Sequence, residues 1–311
     1  MLDKAALVTV ALGLLLLQTL RAESHFKRFP ETVTNDGAYV LAWGLKDDKD
    51  GNLASKSEIP PTGPELGDID SDAVEDYLVD TKTGKIVATI PDFEFFEGSE
   101  GRQNHFSLEA GWSPDNHGGL AIYDGRYATA AVVWINPTEH KVTDVFAQIE
   151  KAIRQRVIKT KGKKDSDGDE IAVASPVFVR PRRLVLDATV GALSSKMNPT
   201  STNYQIVFNV KGDLKAPQLE FVSAKSLPED SEHEVGDEEI EAELNKVYQK
   251  LAHELSPGER ENLKQEQLKW LATREHAGGE AEKGDKEFIQ LQLTRRRVNE
   301  LRTRALYQPS R

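Results

Sequence analysis

The chain contains no cysteine in its 311 residues. That excludes thiol catalysis, cysteine-held metals and disulfide staples, so folding rests on core burial alone. It also excludes a lipid anchor on a mature N-terminal cysteine. Long apolar runs are nearly absent. The longest, Ala5 to Leu17, covers 13 residues, where a spanning helix needs roughly 20. Neither a Gly-x-Ser-x-Gly turn for a serine nucleophile nor a glycine-rich phosphate loop occurs. Positive charge is in the minority: 40 Lys and Arg stand against 51 Asp and Glu, a net −11. Nucleic acid, whose phosphates need basic patches, is therefore not expected as a partner.

The N-terminus carries a sorting signal. Lys4 gives a short positive start, Ala5 to Leu17 an apolar centre, and Gln18 to Ala22 a polar end with Ala22 as the cleavage residue. Residues 1–22 thus read as a signal peptide, with an uncleaved short anchor as the alternative. After cleavage no stable membrane anchor is expected, and localisation is periplasmic or secreted. Residues 23–236 hold 24 basic and 35 acidic side chains, a net −11, whereas residues 237–311 are nearly neutral with 14 and 15. The acidic field would steer a cationic partner, although solubility alone also favours such a charge.

Residues 35–225 read as an α+β domain, a mostly antiparallel sheet with one packed helix. Tyr39–Leu45 reads as a buried strand. Tyr77–Asp80 and Lys85–Ile90 flank Thr81-Lys82-Thr83-Gly84 as a hairpin. His105–Trp112, Leu120–Tyr123 and Tyr127–Ile135 follow as strands. Val142, Val145, Ile149, Ile153 and Val157 recur at helical spacing and predict a helix from Thr138 to Ile158. Further strands are expected at Pro176–Val179, Leu184–Val190, Tyr204–Val210 and Gln218–Val222. Residues 226–239 are acidic and read as a linker.

Two local patterns invite a metal. His105, Asp115, His117 and His140 match no recognised ligand spacing and read as turn residues. Asp165 to Asp169 resembles the start of a calcium loop, but Glu170 and Pro176 occupy the positions that need glycine and a bidentate acid. No metal, cofactor or catalytic residue is assigned. Trp112-Ser113-Pro114-Asp115 echoes turns of β-propeller blades, yet the β region is too short for a propeller and contains a helix.

From residue 240 to 306 the pattern is helical. Leu244, Val247, Tyr248, Leu251 and Leu255 form one apolar stripe. Ser256-Pro257-Gly258-Glu259 is a helix stop and restart with a capping box. Leu263, Gln267, Trp270 and Leu271 line a second helix, and Phe288, Leu291, Thr294, Val298, Leu301 and Ala305 a third. The expected fold is therefore a β-rich α+β domain followed by a small three-helix domain.

The helical part resembles the LprI-type lysozyme-inhibitor family. Leu244, Asn245 and Tyr248 match its first element. Gln267, Trp270, Leu271 and Arg274 match its second, and Thr294 and Arg297 its third. Family members commonly carry cysteines around the second connection, where this chain runs Ala277-Gly278-Gly279-Glu280 to Gly284. The resemblance implies an exported bacterial envelope protein that binds a cationic protein such as lysozyme, without being an enzyme. The residues leave two alternatives open: a scaffold or sensor whose β-rich domain binds another ligand, and a hydrolase in that domain. Among the matched residues, Trp270 reads as core, while Gln267 and Arg274 share a helix face and read as packing contacts rather than partner contacts.

Overall fold

A computed structural model describes residues 26–46, 74–91, 93, 97–98, 101–102, 107–125, 128–158, 170–191, 201–227, 239–277 and 283–307. The signal segment 1–22, linker positions 228–238, the acidic turn Asp165–Asp169 and His105 lie outside the described residues.

The chain is α+β. Three four-stranded antiparallel sheets follow one another along the sequence. The first is β1 (Lys27–Phe29), β2 (Tyr39–Leu45), β3 (Val74–Asp80) and β4 (Lys85–Ile90). A two-stranded ribbon, β5 (Glu97–Gly98) and β6 (Gly101–Arg102), leads to the second sheet. That sheet is β7 (Ser107–Trp112), β8 (Gly119–Asp124), β9 (Thr129–Asn136) and β10 (Lys141–Asp144). After helix α1 (Phe146–Ile153) comes the third, with β11 (Glu170–Arg180), β12 (Arg183–Gly191), β13 (Ser201–Lys211) and β14 (Gln218–Ser226). Helices α2 (Ile240–Glu254), α3 (Pro257–His276) and α4 (Lys283–Leu306) complete the chain.

Each sheet is a meander, because its strands pair with their sequence neighbours. The turns follow a rule visible in two of them. Asp80 accepts a bond from the Thr83 N–H and Gly84 takes a positive φ of 67°. In the β9–β10 hairpin, Asn136 accepts from the Glu139 N–H and His140 takes φ 53°.

The predicted helix at 138–158 is shorter than its apolar spacing suggests. Lys141 to Asp144 pairs with Val133 to Asn136 as β10, and the helix starts only at Phe146, whose N–H bonds the Asp144 carboxylate at 2.8 Å. Val142 faces the core between the first two sheets, while Val145, Ile149, Ile153 and Val157 face the core between the second and third. One apolar spacing thus serves a strand and a helix in turn.

The sheets stack face to face. Leu41, Trp43, Leu78 and Ile90 of the first meet Leu108, Ala121, Val133 and Ile135 of the second. Leu120, Ile122, Val132 and Trp134, on the second sheet's other face, meet α1 and the third sheet's Leu184, Leu186, Ile206 and Phe208. The second sheet is buried on both faces, which is why its strands read as nearly continuous apolar runs. The first sheet is also covered twice: Val40, Ala42, Tyr77 and Val79 share one cluster with Ile240, Leu244, Leu251, Leu263, Trp270 and Leu301 of the helices. At the far end of α4, Tyr307 packs on Val177, Val179, Val185 and Val207 of the third sheet and bonds Gln205 at 3.0 Å. The helices thus touch both outer sheets, the first through β2 and β3 and the third through Tyr307.

The second and third sheets approach each other closely at Gly111. A Cβ there would lie 1.9 Å from the Pro176 carbonyl oxygen, whereas one at Gly258 meets nothing within 4 Å. Gly111→Ala is therefore expected to destabilise the fold by about 1–3 kcal/mol. Gly258→Ala, in the first turn of α3, is expected to stabilise it by about 0.4–1 kcal/mol. Urea unfolding of the two variants beside the parent protein measures both.

Candidate functional site

The inner strands β1, β7 and β11 are the edges of their sheets, and α4 runs beside them. Along this seam lies a cleft of about 520 Å³. Its size falls in the range of small-molecule pockets, roughly 300–1,000 Å³. One wall is a stripe of α4 that includes Gln292, Arg295, Asn299 and Arg302, spaced so that they share a helix face. The other wall is built from β7, β11 and the turn after β1, with Glu31, Asn35, Glu109 and Ser175 among its polar groups.

Local strain marks the second wall. Ser175 adopts φ 52°, a left-handed conformation that costs a non-glycine residue on the order of 1 kcal/mol or more. It sits at a bulge, since the β11–β12 register shifts between Ala174 and Val177. The extra residue switches which side chains face inward: Ile171 and Val173 enter the core before it, and Phe178 after it. The Glu109 carboxylate holds the bulge by accepting the Ser175 N–H at 2.6 Å.

Side chains satisfy the backbone of the neighbouring edges. Arg296 donates to the carbonyls of Glu31 and Val33 at 2.6 and 3.2 Å. Asn35 donates to those of Trp112 and Ser113 at 3.3 and 3.2 Å, and the Trp112 indole to Thr32 at 2.8 Å. Burial pulls the Arg296 pKa below its ordinary value.

The residues singled out from sequence converge within the helices. Leu244 and Trp270 are buried, and Tyr248 packs against the same cluster. Arg274 lies over the Trp270 ring at 4.9 Å and bonds both Thr294, at 3.0 Å, and Glu241. The Gln267 carbonyl accepts from Arg297 at 3.0 Å. Arg297 then bonds Glu300 at 2.7 Å, and Arg304 bridges Glu266 at 2.6 Å and Glu300 at 3.5 Å. Two members stand apart: Asn245 is exposed and bonds back to the Glu241 carbonyl, and Leu271 is 38% exposed.

Sequence reasoning missed the remaining members of this network, Glu266, Glu300 and Arg304, and the neighbouring Arg296. The run Arg295-Arg296-Arg297 was the available signal, because three cations on a helix that must bury part of its surface require internal partners. It missed the cleft as well; the Ser175-Pro176 step inside a β-rich run was the clue to a bulge.

Of the metal candidates, Asp115, His117 and His140 lie among the described residues. Asp115 accepts from the Ser113 hydroxyl at 2.6 Å and the His117 N–H at 3.2 Å, closing a local turn. His140 stacks edge-on against Tyr39. Among the described residues, no three His, Asp or Glu side chains group to hold a metal ion. Burial pushes the Asp124 carboxyl up, against the lowering effect of bonds from Thr129 and Ser107. The same Thr129 hydroxyl accepts the Val173 N–H at 2.8 Å, so this acid belongs to a latch between β9 and β11.

Burial pushes Glu300 up as well, but Arg297 and Arg304 outweigh it and hold the carboxyl below its ordinary 4.5. A depressed folded pKa means that the ion cluster stabilises fully above pH 4.5 and loses its contribution as pH falls through the folded pKa. Glu300→Gln is expected to lower stability by about 3–5 kcal/mol at neutral pH, because buried guanidiniums lose their counter-charge. It should also flatten the dependence below pH 4.5, and unfolding curves collected between pH 3 and 7 test both effects.

No curated protein and no solved structure matches the chain. Residues 237–306 match the family model described as Lysozyme inhibitor LprI. The match ends at the last residue of α4 and takes in all three C-terminal helices together with the Gln267–Arg297 and Arg274–Thr294 contacts. The C-terminal quarter of the chain is thus similar to the LprI lysozyme-inhibitor family.

Proposed function

We propose that the protein is an exported envelope binding protein that inhibits lysozyme by non-covalent protein–protein contact. The observation that carries this reading is the match of residues 237–306 to a family of lysozyme inhibitors. Export is supported by the charge and length pattern of residues 1–22. No helix among the described residues is long and apolar enough to cross a membrane. The protein acts as a binder rather than an enzyme, in keeping with a family of inhibitors.

Within this reading the signature residues Leu244, Tyr248, Gln267, Trp270, Arg274, Thr294 and Arg297 hold the helices in register. Their side chains are engaged inside the bundle, so contact with a target falls to exposed positions around them. The acidic residues of the β-rich part add long-range attraction for a basic lysozyme. Residues 226–239 serve as the linker between the β-rich part, residues 35–225, and the inhibitor domain, residues 240–306. The two parts nonetheless share a hydrophobic cluster across β2, β3 and the helices.

Titrating the mature protein into a cell-wall suspension with a cationic lysozyme tests the proposal. Lysis should slow in proportion to the protein added, and inhibition should weaken as salt screens the acidic field. Absence of binding and inhibition by several lysozymes at low ionic strength overturns it.

A further inference from the structure

Beyond the contact with lysozyme, and independently of it, we infer that the cleft between α4 and strands β7 and β11 binds a short uncharged glycan. The inference comes from which of its polar groups are already engaged. The charged ones have protein partners: Arg296 holds the Glu31 and Val33 carbonyls, Arg302 bonds Glu243 at 2.7 Å, Glu300 bonds Arg297, and Glu109 holds the Ser175 N–H. Asp187 accepts from Gln205 at 3.4 Å, and Glu31 and Arg295 also have partners. The Gln292 and Asn299 amides and the Ser175 hydroxyl line the same cleft without a hydrogen bond to any described residue.

The groups left for a ligand are therefore neutral, and each both donates and accepts. An ionic ligand would have to compete with the protein partners that these charged side chains already hold. A polyhydroxylated ligand has the complementary property, since every hydroxyl both donates and accepts. Gln292 and Asn299 lie seven residues apart, two helical turns and about 10 Å along α4, a span suited to successive sugar rings. An extended peptide fits less well. Strand addition needs open edge groups, and here Asn35 covers the Trp112 and Ser113 carbonyls while Glu109 covers the Ser175 N–H.

The test uses the full mature protein. Chitotriose, maltotriose and a blocked, uncharged alanine tripeptide are titrated in turn by calorimetry and by ligand-observed NMR. At least one sugar is expected to bind more tightly than the peptide. The double variant Gln292→Ala/Asn299→Ala should weaken sugar binding about tenfold or more, the loss of two neutral hydrogen-bonding groups, with an unchanged melting midpoint. Ser175→Ala gives a second reading, because it removes the hydroxyl and leaves the backbone bond to Glu109. Three outcomes overturn the inference: no sugar binds at millimolar concentration, the peptide binds in preference, or sugar affinity is the same in parent and both variants. Lysozyme inhibition is measured on the same variants and is expected to persist, so failure here is distinct from failure of the inhibitor reading.

Discussion

Three sheets that stack face to face bring their first strands together, and each of those strands has one row of amides and carbonyls without a neighbouring strand. Buried backbone groups of this kind must find partners. Here the partners are side chains, and Arg296 of α4 is central among them. Its guanidinium takes two carbonyls of the turn after β1 and so ties the last helix to the start of the first sheet, 263 and 265 residues away in sequence. Asn35, Glu109 and the Trp112 indole do the same for the strands on either side. The position of α4, the shape of the cleft and the cover over the first sheet all depend on this exchange of side-chain for strand hydrogen bonds.

The same constraint makes the helical domain part of the larger fold rather than an appendage. An isolated three-helix unit could bury Leu244, Leu251, Trp270 and Leu301 against one another. In this chain those residues also cover Val40, Ala42, Tyr77 and Val79 of the first sheet. The chain has no cysteine, and two interactions hold the helices in place without a cross-link. One is this added apolar contact. The other is the ion cluster of Arg297, Glu300, Arg304 and Glu266, in which each guanidinium reaches a carboxylate. A buried pair of this type adds little net stability over an apolar pair, but it penalises every register in which a partner is lost.

Much of this was legible in the sequence because period and punctuation are local properties. The 77–80/85–90 hairpin, the capping box at Ser256 and Glu259, and the three C-terminal helices all appear where turn residues and apolar spacing place them. The stretch 138–158 was misjudged at its start for an equally local reason. Spacing of three and four residues cannot separate a helix from a strand followed by a helix when both faces of the neighbouring sheet are buried. Long-range facts were not legible. Nothing in the order of residues says that a strand bulged at Ser175 will approach Gly111, or that Gln292 and Asn299 will face that bulge across a cleft.

In this chain Gln267, Trp270, Arg274, Thr294 and Arg297 exchange contacts among the three helices, and Trp270, Thr294 and Arg297 are buried. Matching such a motif identifies the scaffold, while the choice of target rests on side chains that the motif leaves unspecified. In this chain the scaffold is pressed on one side against a sheet, which removes that face from any partner. The outer surface of α3, of whose 20 residues only Leu263 and Trp270 are buried, stays exposed, and the stripe of α4 tied down by Arg296 lines the cleft against the sheets.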